Sequence, residues 1–174
     1  MNKAGILMFA LALAAGCSDD DSTPTGPSTI GPVVFAVQLS AANEVPPVTG
    51  TESGGRGTVT ITFNVPRDGA GNPSGSGTAT FSMQVSGFPA GTPAVGAHIH
   101  PGAAGVNGGV IVNTGLSATA PVVLADGTAN VTIQNIALSR DLATQIMANP
   151  AGFYFNVHTP TNPGGAIRGQ LVRQ

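Results

Sequence analysis

Phe153-Tyr154-Phe155-Asn156-Val157-His158, then Thr159-Pro160-Thr161-Asn162-Pro163-Gly164-Gly165, then Ala166-Ile167-Arg168-Gly169-Gln170-Leu171, close to the end of a 174-residue chain, form two alternating runs around a Pro/Gly turn. Side chains two residues apart share a face of a β-strand. The first run therefore sets Phe153, Phe155 and Val157 against Tyr154, Asn156 and His158, and the second sets Ile167 and Leu171 against Arg168 and Gln170. The spacing predicts a hairpin with one apolar face and one face that carries a histidine and an arginine. A chemical echo lies upstream in Ala97-His98-Ile99-His100-Pro101-Gly102, where two histidines share a face opposite Ile99. Together these stretches hold all 3 histidines of the chain.

Working outward, the same period of two recurs. Phe35, Val37 and Leu39 alternate with Val34, Ala36 and Gln38, and Val59, Ile61, Phe63 and Val65 alternate with Thr58, Thr60, Thr62 and Asn64. The segment from 66 to 77, dense in Gly and Pro, reads as a hairpin loop leading to a third strand over 78–88. Shorter strands are expected at 94–100, 109–114, 121–124 and 129–133. The segment 139–148 breaks the pattern: Ser139 can cap a helix, Asp141 falls in its first turn, Leu142, Ile146 and Met147 recur at helical spacing, and Asn149-Pro150 stops it. An α/β fold would need a helix after each strand. The expected fold is all-β: an antiparallel Greek-key β-sandwich or flattened barrel of about eight strands with one short helix.

Composition agrees, with 25 Gly, 14 Pro, no Trp and 8% charged residues. A net charge of −2 provides no basic footprint, so nucleic acid is not an expected partner. Lys3 precedes the apolar run Ile6 to Leu13 and then Ala14-Ala15-Gly16-Cys17, a run too short to span a bilayer comfortably. The pattern resembles a bacterial lipoprotein signal, which implies lipidation of Cys17, although Ala14 stands where such signals usually carry a larger aliphatic residue. The resulting division is a signal over 1–17, a polar disordered tether over 18–32 and a β domain over 33–174. The expected location is the bacterial cell envelope, with the exported domain held to the membrane by lipid. Cys17 is the lone cysteine, so no disulfide within the chain supports the core.

Four motifs in order, Leu39-Ser40-Ala41-Ala42-Asn43-Glu44-Val45-Pro46-Pro47, Ala97-His98-Ile99-His100, Gly152 to Thr159, and Pro163 to Leu171, resemble the CHRD (chordin-type) domain over roughly residues 33–173. Ala166 departs from that family, which often has an acidic residue there. The resemblance implies a secreted β domain serving as a binding or structural module for an unidentified protein or small ligand, and no particular reaction. A second likeness is to copper–zinc superoxide dismutases: His98 and His100 are similar to the His-x-His pair, His158 to the late copper ligand, and Arg168 to the arginine that guides the anionic substrate. The bridging histidine, the zinc ligands and the disulfide of that family have no counterpart.

A His-x-His pair on a strand projects two imidazoles about 6–7 Å apart on one face, near enough to share an ion. His98, His100 and His158 are thus the candidate metal ligands, with copper the cofactor they suit best, and Arg168 is a candidate anion guide. Against this stands the reading of the imidazoles and Asn156 as a polar network that ties strands together, with Arg168 paired to Glu44 or Asp126. Nucleophile triads, paired hydrolase carboxylates and phosphate loops are missing. The sequence thus favours a non-enzymatic module, with a copper-binding metalloprotein as the alternative; any catalysis would be copper-dependent oxidoreduction.

Overall fold

A computed structural model describes Met1 and residues 31–174. The signal, Cys17 and the tether apart from Gly31 and Pro32 lie outside the described residues. The strands are β1 (Val33–Ser40), β2 (Arg56–Asn64), β3 (Gly77–Ser86), β4 (Thr92–Ala94), β5 (Gly96–Pro101), β6 (Val112–Asn113), β7 (Val122–Leu124), β8 (Ala129–Leu138), β9 (Phe153–His158), β10 (Ile167–Gln170) and β11 (Val172–Arg173), with one α-helix, α1 (Arg140–Ala148), among the described residues.

The alternation read from the sequence sets the inner wall. Val33, Phe35, Val37 and Leu39 of β1, Val59, Ile61 and Phe63 of β2, and Ala79, Phe81, Met83 and Val85 of β3 are all buried, while their neighbours are not. The main sheet runs β6-β5-β9-β10-β1-β2-β3-β8 with every pairing antiparallel, β11 pairs with β1, and β4 and β7 form a second, two-stranded sheet. Phe81 of β3 stacks on Phe155 of β9 with ring centroids 5.6 Å apart. Those strands are well separated along the sheet, so the contact requires the sheet to curl on itself into a nearly closed, flattened barrel whose walls face each other as in a sandwich.

Boundaries differ from expectation where local pattern is weak. The run 94–100 divides at Val95 into β4 and β5, the run 109–114 shrinks to β6, and β8 extends to Leu138. That extension passes a bulge on β8, where Gln134 and Asn135 stand opposite Thr80 of β3 and the φ of 59° at Asn135 interrupts the alternation. The helix matches its signals: Ser139 Oγ accepts from the Leu142 amide at 3.2 Å, and Ala143, Ile146 and Met147 are buried.

Candidate metal centre

Register places the polar side chains in rows. Across β5, β9 and β10, His98 faces Asn156 and Asn156 faces Arg168; one row on, His100 faces Tyr154 and Tyr154 faces Gln170; on the other side His158 faces Gly96. Ala97, Ile99, Phe155, Val157 and Ile167 point the opposite way into the core. The hairpin's polar face is covered as well as its apolar one, and β9 is buried on both sides from Phe153 to Val157. The cover is the loop 102–111 between β5 and β6, together with the segment that follows β1. Gln170 Nε2 donates to Gly102 O at 2.9 Å, and Asn107 Nδ2 donates to Val45 O at 2.8 Å. Asn43 Nδ2 donates to Arg168 O at 3.0 Å, so the Asn43-Glu44-Val45 motif packs onto the same rows.

The structure brings His98, His100 and His158 together, with one ring nitrogen from each lying within 4.8 Å of the others. A Zn or Cu ion bonded to imidazole at about 2.0–2.1 Å needs ligand nitrogens about 3.5 Å apart, so the cluster would tighten by about 1 Å on loading. Gly96 makes room for it, because a Cβ there would stand 3.0 Å from His98 Cε1 and 3.4 Å from His158 Cδ2. His100 Nδ1 lies 2.9 Å from Gly108 O and donates its proton there, which leaves Nε2 with a lone pair, as metal-binding histidines require. His158 has an oxygen at each ring nitrogen, Pro163 O 3.0 Å from Nδ1 and Asn156 Oδ1 2.9 Å from Nε2, and its Nε2 is free to bind an ion in the tautomer that donates from Nδ1 to Pro163 O. His100 Nε2 and His98 Nδ1 are buried with no hydrogen-bond partner. Burial, reinforced by the neighbouring imidazoles of His158 and His100, pushes the His98 pKa down to about 4. Burial also lowers that of His158, against the opposing pull of the Pro163 carbonyl. Both shifts favour the neutral rings at neutral pH.

Arg168 is placed differently from the sequence expectation. At 1% exposure it is among the largest fully buried side chains and faces no open approach for an anion. Its Nη1 donates to Asn107 Oδ1 at 2.9 Å, and its Nη2 donates to Ala103 O at 3.1 Å and Val106 O at 2.7 Å. Its Cζ sits 3.4 Å over the centre of the Tyr154 ring, and Tyr154 stacks on His100 at 4.8 Å with 4° between planes. Arg168, Tyr154 and His100 thus form one stacked column, with the arginine clamping the loop over it. No ion pair joins Arg168 to Glu44 or Asp126; the salt bridge among the described residues is the exposed Arg140–Asp141 pair. Glu44 still feels Arg168. Its burial raises its pKa to about 7, while the Arg168 charge and the Asn156 side chain pull the other way.

Residues with no sequence signal complete the surroundings. Glu52, 2% exposed, accepts from Thr159 Oγ1 at 2.7 Å and Asn162 Nδ2 at 2.6 Å, fixing the turn that presents the Pro163 carbonyl to His158. Asn107 lies in an irregular loop and Glu52 in a single 3-10 turn, so no periodicity marks either. Tyr154 was legible on the polar face of its strand with Asn156 and His158, but its stacking between Arg168 and His100 was not.

Comparison with known proteins agrees with the motif order. A family model described as the CHRD domain matches residues 35–171, which take in all four motifs. No curated protein matches the chain, and nothing in these comparisons supports the superoxide dismutase likeness. The match covers most of the chain and includes every residue of the histidine cluster and of the Arg168 column, so the chain belongs to the CHRD-domain family.

Proposed function

We propose that this CHRD domain is an exported module that binds a transition-metal ion, copper foremost, through His98, His100 and His158, carried at the bacterial cell envelope on a lipid attached to Cys17. The observation that carries the metal reading is the pair of buried ring nitrogens, His98 Nδ1 and His100 Nε2, that lack partners inside a three-imidazole cluster. A buried polar atom left unsatisfied costs about 1–3 kcal/mol, and a metal ion would remove that cost for both at once. Three neutral imidazoles suit Cu(I), Cu(II) and Zn, and among divalent ions of this kind copper binds most tightly. A purely structural polar network is the weaker reading, because such a network satisfies its members. The anchor rests on the sequence: Lys3, the apolar run Ile6 to Leu13, and Cys17.

Titration of the purified protein with Cu(I), Cu(II) and Zn tests the site. The expected result is binding tighter than about micromolar, equivalent to about −8 kcal/mol, weakened at least about 100-fold by His98→Ala or His158→Ala. Weaker binding by the wild type, or variants that bind equally well, would refute it. For the anchor, Cys17→Ser should move the protein from the membrane fraction to the soluble one; unchanged partitioning would contradict lipidation.

A further inference from the structure

Asn156 is 1% exposed, lies opposite His98 in the β5–β9 register and has its Oδ1 2.9 Å from His158 Nε2. A neutral imidazole carries one proton, yet both ring nitrogens of His158 face an oxygen, Nδ1 the Pro163 carbonyl and Nε2 the Asn156 carboxamide. In the tautomer that binds a metal the proton is on Nδ1, and lone pair then faces lone pair across the Asn156 contact; a cation bound by both atoms would relieve this as they part to the roughly 3.5 Å of neighbouring ligands. The Asn156 side chain also interacts with the buried Glu44 carboxylate, pulling its pKa down against burial. Gly165 makes this approach possible, since a Cβ there would stand 2.6 Å from the Glu44 carboxyl carbon.

We propose that the Asn156 carboxamide oxygen is a fourth ligand of the metal centre and that it tunes the site toward divalent ions. This rests on the three-imidazole reading above. Zn(II) and Cu(II) take four ligands or more and accept a hard oxygen, whereas Cu(I) is satisfied by three nitrogens and gains little from an amide. The fourth ligand would therefore discriminate between ion classes that the three imidazoles alone bind.

The test is metal competition on the full chain and its Asn156→Ala and Asn156→Asp variants, with Zn(II), Cu(II) and Cu(I) as probes. Asn156→Ala should weaken Zn(II) and Cu(II) by roughly tenfold or more while changing Cu(I) by less than about threefold, and Asn156→Asp, which keeps an oxygen in place, should restore divalent binding. Equal losses for all ions, or no loss, would overturn the ligand role while leaving the three-histidine site standing. A wild type that binds no metal would sink both. If Asn156→Ala fails to fold, a structure of the zinc-loaded wild type decides: Oδ1 about 2.0–2.3 Å from the ion supports the proposal, and beyond about 3 Å overturns it.

Discussion

Replacing Arg168 with methionine removes the clamp on the loop over the histidine cluster while keeping most of the side-chain volume. The lost interactions can be weighed singly. Three charged-donor hydrogen bonds, to Asn107 Oδ1, Ala103 O and Val106 O, would contribute about 1.5–3 kcal/mol each if all three acceptors stayed dry. Ala103, Val106 and Asn107 are surface residues that water can reach once the loop loosens, so the lower end, about 4.5 kcal/mol in all, is appropriate. The stack on Tyr154 adds about 1–2 kcal/mol. Against this, methionine no longer pays the desolvation of a buried guanidinium, which returns about 1–2 kcal/mol. The net expected loss is about 4 kcal/mol, a large part of the roughly 5–15 kcal/mol that holds a domain together. At about 2–4 °C per kcal/mol this lowers Tm by roughly 8–16 °C. Urea denaturation measures the loss, and limited proteolysis should show new cleavage within 102–111. Arg168→Lys, which keeps the charge but not the planar fork, should fall between wild type and Arg168→Met. A loss below about 1 kcal/mol with the loop still protected would refute the clamp.

The other predictions concern the acid beneath the loop. Glu44 has its folded-state pKa raised to about 7 from 4.5, so its contribution is fully present below about pH 4.5 and is lost as pH rises through 7; Glu44→Gln should remove that decline, worth about 2 kcal/mol after allowance for screening, and a urea series from pH 4.5 to 8 with parallel profiles would contradict it. Gly165, at a φ of 137° with its Cα against the Glu44 carboxylate, should tolerate no side chain; Gly165→Ala should cost at least about 2 kcal/mol by denaturation, and a neutral result would mean Glu44 is free to move.

The histidine face shows how far local pattern reaches. Period two was enough to place His98 with His100, and His158 with Tyr154 and Asn156, on single faces, because alternation is a property of the extended backbone itself. That these faces meet depends on β5 pairing with β9, strands that the intervening β6, β7, β8 and α1 separate in sequence, and no local signal encodes such pairing. The Asn43-Glu44-Val45 stretch was conspicuous as a motif, but its role in covering the site emerged only from the bonds to Arg168 and Asn107.

Arg168 marks the sharpest divide. Its strand and its face followed from the alternation of Ile167 and Leu171 around it, whereas its row opposite Asn156 came from the strand register. Whether it met solvent or protein depended on the loop 102–111, whose Gly-rich irregular backbone carries no periodicity to read and offers carbonyls only where tertiary packing puts them. The all-β class, the helix and its cap, and the face on which each histidine stands were thus determined by sequence, since each follows from backbone geometry within a few residues. The closing of the barrel, the convergence of the imidazoles and the burial of Arg168 and Glu44 were decided by the tertiary structure, because each is a contact between segments whose separation along the chain leaves their relative position unspecified until the core forms.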